Sequence, residues 1–157
     1  MRPPTDSVTV TTVVALAPDA AFAVFTDEVD AWWRRGSRFR FRDDEDGTLA
    51  FADGRLVETY ADGERFEVGR VLAWEPGARL LFEWRDRSFA AGEITEVEVR
   101  FEPHARGTRV TVVHRGWDEL RPDHAGRRGA RGHAFVDLLG LWWADQAASL
   151  RAFAGRP

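Results

Sequence analysis

The sequence predicts an α+β fold: one curved antiparallel sheet of about seven strands around a long C-terminal helix, with two short helices after the first strand. Three observations carry this. Two-residue alternation recurs from Ser37 to Arg115 with only short turns between its segments. No helix-length segment interrupts that run, which favours an antiparallel meander over a parallel α/β sheet. The end of the chain changes to a stripe at three- and four-residue spacing, the signature of an amphipathic helix.

The first strand is a β-branched run in which Val8, Val10, Thr12, Val14 and Leu16 share one face. Pro18-Asp19 then opens a helix, because proline is preset for the first turn and an acid suits the positive end of the helix dipole. Phe22 and Phe25 lie on one side of it, and a second short helix carries Val29, Trp32 and Trp33. In Arg38-Phe39-Arg40-Phe41-Arg42 the alternation predicts a half-buried strand, aromatics inward and guanidiniums outward. Asp43 to Gly47 reads as a solvated hairpin tip, and Leu49 and Phe51 continue the apolar face. Asp53-Gly54 and Asp62-Gly63 are hairpin turns. Glu58 faces inward beside Tyr60 if Leu56 does, a register the spacing leaves open.

On the next strand Phe66, Val68, Val71 and Trp74 slip out of alternation near Gly69, which predicts a bulge. Leu80, Phe82 and Trp84 follow the Glu75-Pro76-Gly77 turn. Two further strands put Val97, Val99 and Phe101, then Val110, Val112 and His114, on the inner face. Asp118 to Gly132, rich in Gly, Arg and Pro, reads as a mobile loop. Phe135, Leu138, Leu139, Trp142, Gln146, Leu150 and Phe153 form the helical stripe. The expected organisation is a single domain over 1–157, with its core over about 8–154.

Composition narrows function. The net charge of −4 favours neither nucleic acid nor insertion at an anionic membrane. The absence of cysteine excludes disulfides, thiolate metal sites and a cysteine nucleophile. The first residues lack a secretory signal, and the longest apolar run, Leu138 to Ala144, is too short to span a bilayer, so the expected location is cytoplasmic. Gly-x-Ser-x-Gly, Walker and dinucleotide motifs are missing, and no cofactor is expected. His133 and Asp137, one helical turn apart, are too few to hold a metal. Arg127, Arg128 and Arg131 before the helix, and Arg34-Arg35 after the Trp pair, are read as solvated rather than anion-binding.

Several phrases occur in an order that resembles a known family. They are Ala21-Phe22-Ala23-Val24-Phe25-Thr26 with Trp32-Trp33; Gly69-Arg70-Val71-Leu72-Ala73-Trp74-Glu75-Pro76; Thr95-Glu96-Val97-Glu98-Val99-Arg100-Phe101; and Gly107-Thr108-Arg109-Val110-Thr111-Val112-Val113-His114-Arg115-Gly116-Trp117. Together they resemble the bacterial homologues of the activator of Hsp90 ATPase, within the START/Bet v 1-like (SRPBCC) superfamily of helix-grip folds, over Val8 to Phe153. The text also resembles the family's enediyne self-resistance branch. The resemblance implies a cavity between sheet and terminal helix for lipids, polyketides or other apolar molecules. It also implies two alternatives: a cyclase or aromatase, and a chaperone-interacting protein that uses its outer surface.

Seven tryptophans and eleven phenylalanines against one tyrosine suit such a cavity, although each ring also serves to fill a core. The expected pocket residues are Trp32 and Trp33; then Phe39, Phe41, Phe51, Trp74, Phe82, Trp84, Val99, Val112 and His114 on the sheet. Phe135, Leu139, Trp142 and Trp143 complete the set from the helix. Adjacent Trp142 and Trp143 cannot both face one way. His114 is read as pocket wall, since a general acid or base needs a partner and a substrate within reach. The reading favours a non-enzymatic carrier or resistance protein for an aromatic or polycyclic molecule.

Overall fold

A computed structural model describes residues 7–42, 46–121, 123–130 and 132–155. Strand β1 (Val8–Val14) leads into helices α1 (Pro18–Asp27) and α2 (Val29–Trp32). Six more strands follow: β2 (Thr48–Ala52), β3 (Arg55–Thr59), β4 (Arg65–Glu75), β5 (Arg79–Trp84), β6 (Thr95–His104) and β7 (Gly107–Arg115). Helix α3 (Gly132–Ala154) ends the fold. The seven strands form one antiparallel sheet in the order β1-β7-β6-β5-β4-β3-β2. The curved sheet and its long helix make the helix-grip arrangement. No helix among the described residues is long and apolar enough to cross a membrane.

Pro18 opens α1 with Asp19 in its first turn, and the helix buries Phe22 and Phe25 against the sheet. Val97 pairs with His114, Val99 with Val112 and Phe101 with Val110, so these side chains share the inner face. All six are buried. Helix α3 lies against β1, and Gly140 allows the approach: a Cβ there would sit 3.4 Å from Val8. Asp53 and Gly54, at φ 54° and 73°, make the tight β2–β3 turn that the strand twist favours. Strand β4 bulges twice, once where Val68 is skipped beside Gly69 and again at Leu72. A Cβ on Gly69 would stand 1.7 Å from the Glu83 carbonyl oxygen, so only glycine lets β4 and β5 close at the first bulge.

Four expectations need correction. Arg38–Arg42 is not a strand: Phe39 and Arg40 both donate their N–H to Gly36, and the segment runs as turns and bends. Nor do its guanidiniums all face out, for Arg40 is 4% exposed. Arg127 is also buried rather than solvated, in a loop that carries two 3-10 turns at Trp117–Glu119 and Ala125–Arg127. On α3 the buried line ends on Leu150 and Ala154, which leaves Phe153 half-buried at its flank. Residues 43–45 of the acidic tip and Arg131 lie outside the described residues.

Candidate functional site

Trp142 and Trp143 diverge from α3 with centroids 5.0 Å apart and planes at 81°. Both are buried, at 8% and 1% exposure. Trp143 turns toward β7, where its indole Nε1 donates to His114 Nδ1 at 3.0 Å. Trp142 turns toward β5, meeting Trp84 at 5.7 Å, and donates its N–H to the Arg38 carbonyl at 2.8 Å.

That carbonyl belongs to a strap, residues 34–42, which crosses from α2 to the sheet over the opening between sheet and helix. Side chains, more than backbone ladders, hold it. At the helix end Arg34 N–H donates to Gln146 Oε1 at 2.9 Å, and Arg38 pairs with Asp145 at 3.0 Å. In the middle Trp33 Nε1 donates to the Phe39 carbonyl at 3.1 Å. At the sheet end Phe41 N–H donates to both Glu58 oxygens, at 3.0 and 3.1 Å, and Arg42 N–H to the Tyr60 hydroxyl at 3.0 Å. Arg40 lies beneath, donating to Asp30 at 2.7 Å and to the Trp33 carbonyl at 2.7 Å.

Glu58 is buried, and it also accepts the Tyr60 hydroxyl at 2.6 Å. Burial pushes its pKa above the usual glutamate value, an effect that these hydrogen bonds and Arg40 only partly offset. Burial and the neighbouring carboxylate together push Tyr60 well above the usual tyrosine value. Asp30 shows the opposite balance: burial raises it, but Arg40, the Leu49 N–H and Arg35 hold it below the usual aspartate range.

The closed strap leaves little empty space. A cavity of about 40 Å³ is lined by Trp84, Trp117, Phe135, Leu138, Leu139 and Trp142, with Arg38, Asp86, Gly126 and Arg128 around it. A void of about 10 Å³ lies on the other side of Trp84, among Trp33, Phe39, Phe41, Glu58 and Phe66. Phe39 packs on Trp142 at 5.3 Å and Phe41 stacks on Phe66 at 4.4 Å, so the strap's own rings occupy the region between sheet and helix. A further void of about 10 Å³ touches Trp32, Val112 and Trp143.

The expected pocket residues therefore divide. Trp84, Phe135, Leu139 and Trp142 meet at the first cavity, and Trp33, Phe39 and Phe41 at the strap void. Phe51 and Trp74 instead line a separate open concavity of about 340 Å³ beside the β2–β3 turn. Phe82, Val99 and His114 are fully buried and line none of these spaces. Sequence reasoning left out Trp117, Asp86 and Arg38, and it reads Arg128 as solvated, whereas Arg128 is exposed at the rim of this cavity. Trp117 stood within a quoted family phrase, but its place in a loop gave no inner face to assign. His133 and Asp137 are exposed on α3, and no group of three or more His, Cys, Asp or Glu that could hold a metal occurs among the described residues.

The fold has relatives among solved structures. Protein MLL2253 from Mesorhizobium loti is 19% identical with a TM-score of 0.61, over 93% of this chain and 94% of that one. The Aha1 protein of Colwellia psychrerythraea, solved as a dimer in solution, is 15% identical at 0.59, over 92% of each chain. DynU16, described as a putative protein in the dynemicin biosynthetic locus, is 24% identical at 0.62, over 96% of this chain and 47% of that one. No curated protein matches the sequence significantly. The model of the activator of Hsp90 ATPase homolog 1-like proteins matches residues 15–139, most of the chain, and the protein belongs to that family.

Proposed function

We propose that the protein binds a hydrophobic, aromatic or polycyclic small molecule between the sheet and α3, as a carrier or natural-product resistance protein. One observation supports this above the others: Trp84, Trp117, Trp142 and Phe135 converge on a cavity bordered by Arg38 of a strap that side chains latch. Pockets for such ligands span ~300–1,000 Å³. The ligand therefore enters as the strap moves out, its rings replacing Phe39 against Trp142. Because few of the strap's bonds belong to a strand ladder, this motion leaves the sheet intact. The likeness to DynU16 is one of fold; because that protein comes from a biosynthetic locus, natural products belong in the first panel of ligands.

The enzyme alternative finds no support at His114, whose ring nitrogens are both engaged inside the core. The experiment is a titration of polyaromatic compounds and long-chain lipids, followed by Trp fluorescence and by melting temperature. A ligand at a hundred times its Kd adds ~2.7 kcal/mol of stability. A broad panel that changes neither signal removes the basis of the proposal.

A further inference from the structure

We infer that the preferred ligand is an aromatic anion, its rings beside Trp142 and its acid group at Arg128; this rests on the reading of that cavity as a ligand site. The first observation is in the cavity wall. Trp117 lines the cavity and is 1% exposed, yet its indole Nε1 is buried with no acceptor. Buried donors are rarely left so, and an oxygen-bearing ligand gives this one a partner.

The second observation is at the mouth. Arg128 lines the same cavity and is exposed, and no carboxylate pairs with it among the described residues. It also holds a left-handed backbone, φ 51°, directly before Gly129 at φ 77°. That conformation costs an arginine energy that a glycine avoids. Next to it the buried Arg127 guanidinium lies 5.1 Å over Phe135 and donates to the Trp117 carbonyl at 2.5 Å, adding a second positive charge behind the wall.

The remaining charges cancel only part of this pair. Arg38 is matched by Asp145. Asp86 accepts the Ser88 N–H and hydroxyl and keeps its negative charge, so it offsets one of the two guanidiniums, and Arg127 with Arg128 leaves a single positive charge in excess. A planar ring fits the apolar wall, and a guanidinium offers paired donors to a carboxylate.

The test compares 2-naphthoate with its neutral methyl ester, at low salt and at about 0.5 M salt, where exposed charge interactions are screened. The expected result is that wild type binds the acid about tenfold more tightly, as one charge-assisted hydrogen bond allows, and that salt narrows the gap. Arg128→Gly suits the left-handed backbone and should fold; it should weaken the acid alone and abolish the preference. Trp117→Phe should weaken both compounds through their shared carbonyl. Arg106→Gln, in the β6–β7 turn at the far end of that hairpin, should change neither. Equal binding of acid and ester by wild type, or a preference that survives in Arg128→Gly, overturns this inference alone. Binding of neither compound also overturns this inference, whereas the aromatic-ligand reading falls only when the broad panel of polyaromatic compounds and lipids changes neither signal.

Discussion

Trp143 donates its indole N–H to His114 Nδ1 at 3.0 Å, and this bond fixes the state of the imidazole. An indole can only donate, so Nδ1 carries no proton and Nε2 does. Nε2 lies 2.8 Å from Thr95 Oγ1, and the threonine hydroxyl donates onward to the Trp84 carbonyl at 2.7 Å. The relay joins α3 to three strands and uses the histidine as a neutral connector. Complete burial lowers the His114 pKa to about 3.

A measurable acid sensitivity follows. The folded pKa lies below the ordinary histidine value of 6.5, so the unfolded chain takes up a proton that the native state refuses. The stabilising contribution is complete above pH 6.5 and is lost as pH falls toward 3. Within that window wild type should lose ~1.4 kcal/mol per pH unit relative to His114→Gln. Denaturant melts of both proteins from pH 7 to 5 check this; parallel curves would show that His114 titrates normally.

Glu58 should show the reverse sign. Its folded pKa is raised, so the native state holds the proton more tightly. Stability should fall as pH rises from the ordinary value of 4.5 through the folded one. Glu58→Gln lacks this ionisation and keeps an acceptor for Phe41 N–H, so its stability relative to wild type should improve across that interval. A difference that stays constant with pH would contradict the assignment.

The helix should separate ligand binding from core packing. Trp142→Ala removes a ring that already borders a cavity, so its cost should lie below the usual ~3–5 kcal/mol, while ligand affinity falls about tenfold or more. Leu150→Ala, two turns further on and 4% exposed, should cost ~2–5 kcal/mol and leave the affinity of the folded protein unchanged. Paired melts and titrations test this. The same ratio of lost stability to lost affinity in both variants would place the ligand elsewhere.

The elements legible in the sequence are those that local periodicity and turn chemistry decide. Val97, Val99 and Phe101 alternate because one face of β6 is core, and Asp53-Gly54 can adopt two positive φ angles in succession. The strap is not legible in the sequence, because Arg38 to Arg42 alternates like a strand. What settles its shape is distant in sequence: Glu58 and Tyr60 take its N–H groups, and Trp142 binds its carbonyl. The burial of Arg127 is hidden for the same reason, its guanidinium being held by Phe135 and the Trp117 carbonyl. The rings at the site could be named from their spacing. That Phe39 and Trp142 close on each other and leave about 40 Å³ depends on packing that no local pattern encodes.

A ligand seated against Trp142 is detected through the seven indole N–H signals of a nitrogen–proton correlation spectrum. On titration with a bound polyaromatic, the Trp142, Trp117 and Trp84 signals should shift most, since these rings line the cavity. Trp33 should follow as its bond to the strap breaks. Trp74, 45% exposed at the separate concavity, should stay in place. Shifts confined to Trp74, with the Trp142, Trp117 and Trp84 signals unmoved at saturation, would rule out a ligand between the sheet and α3.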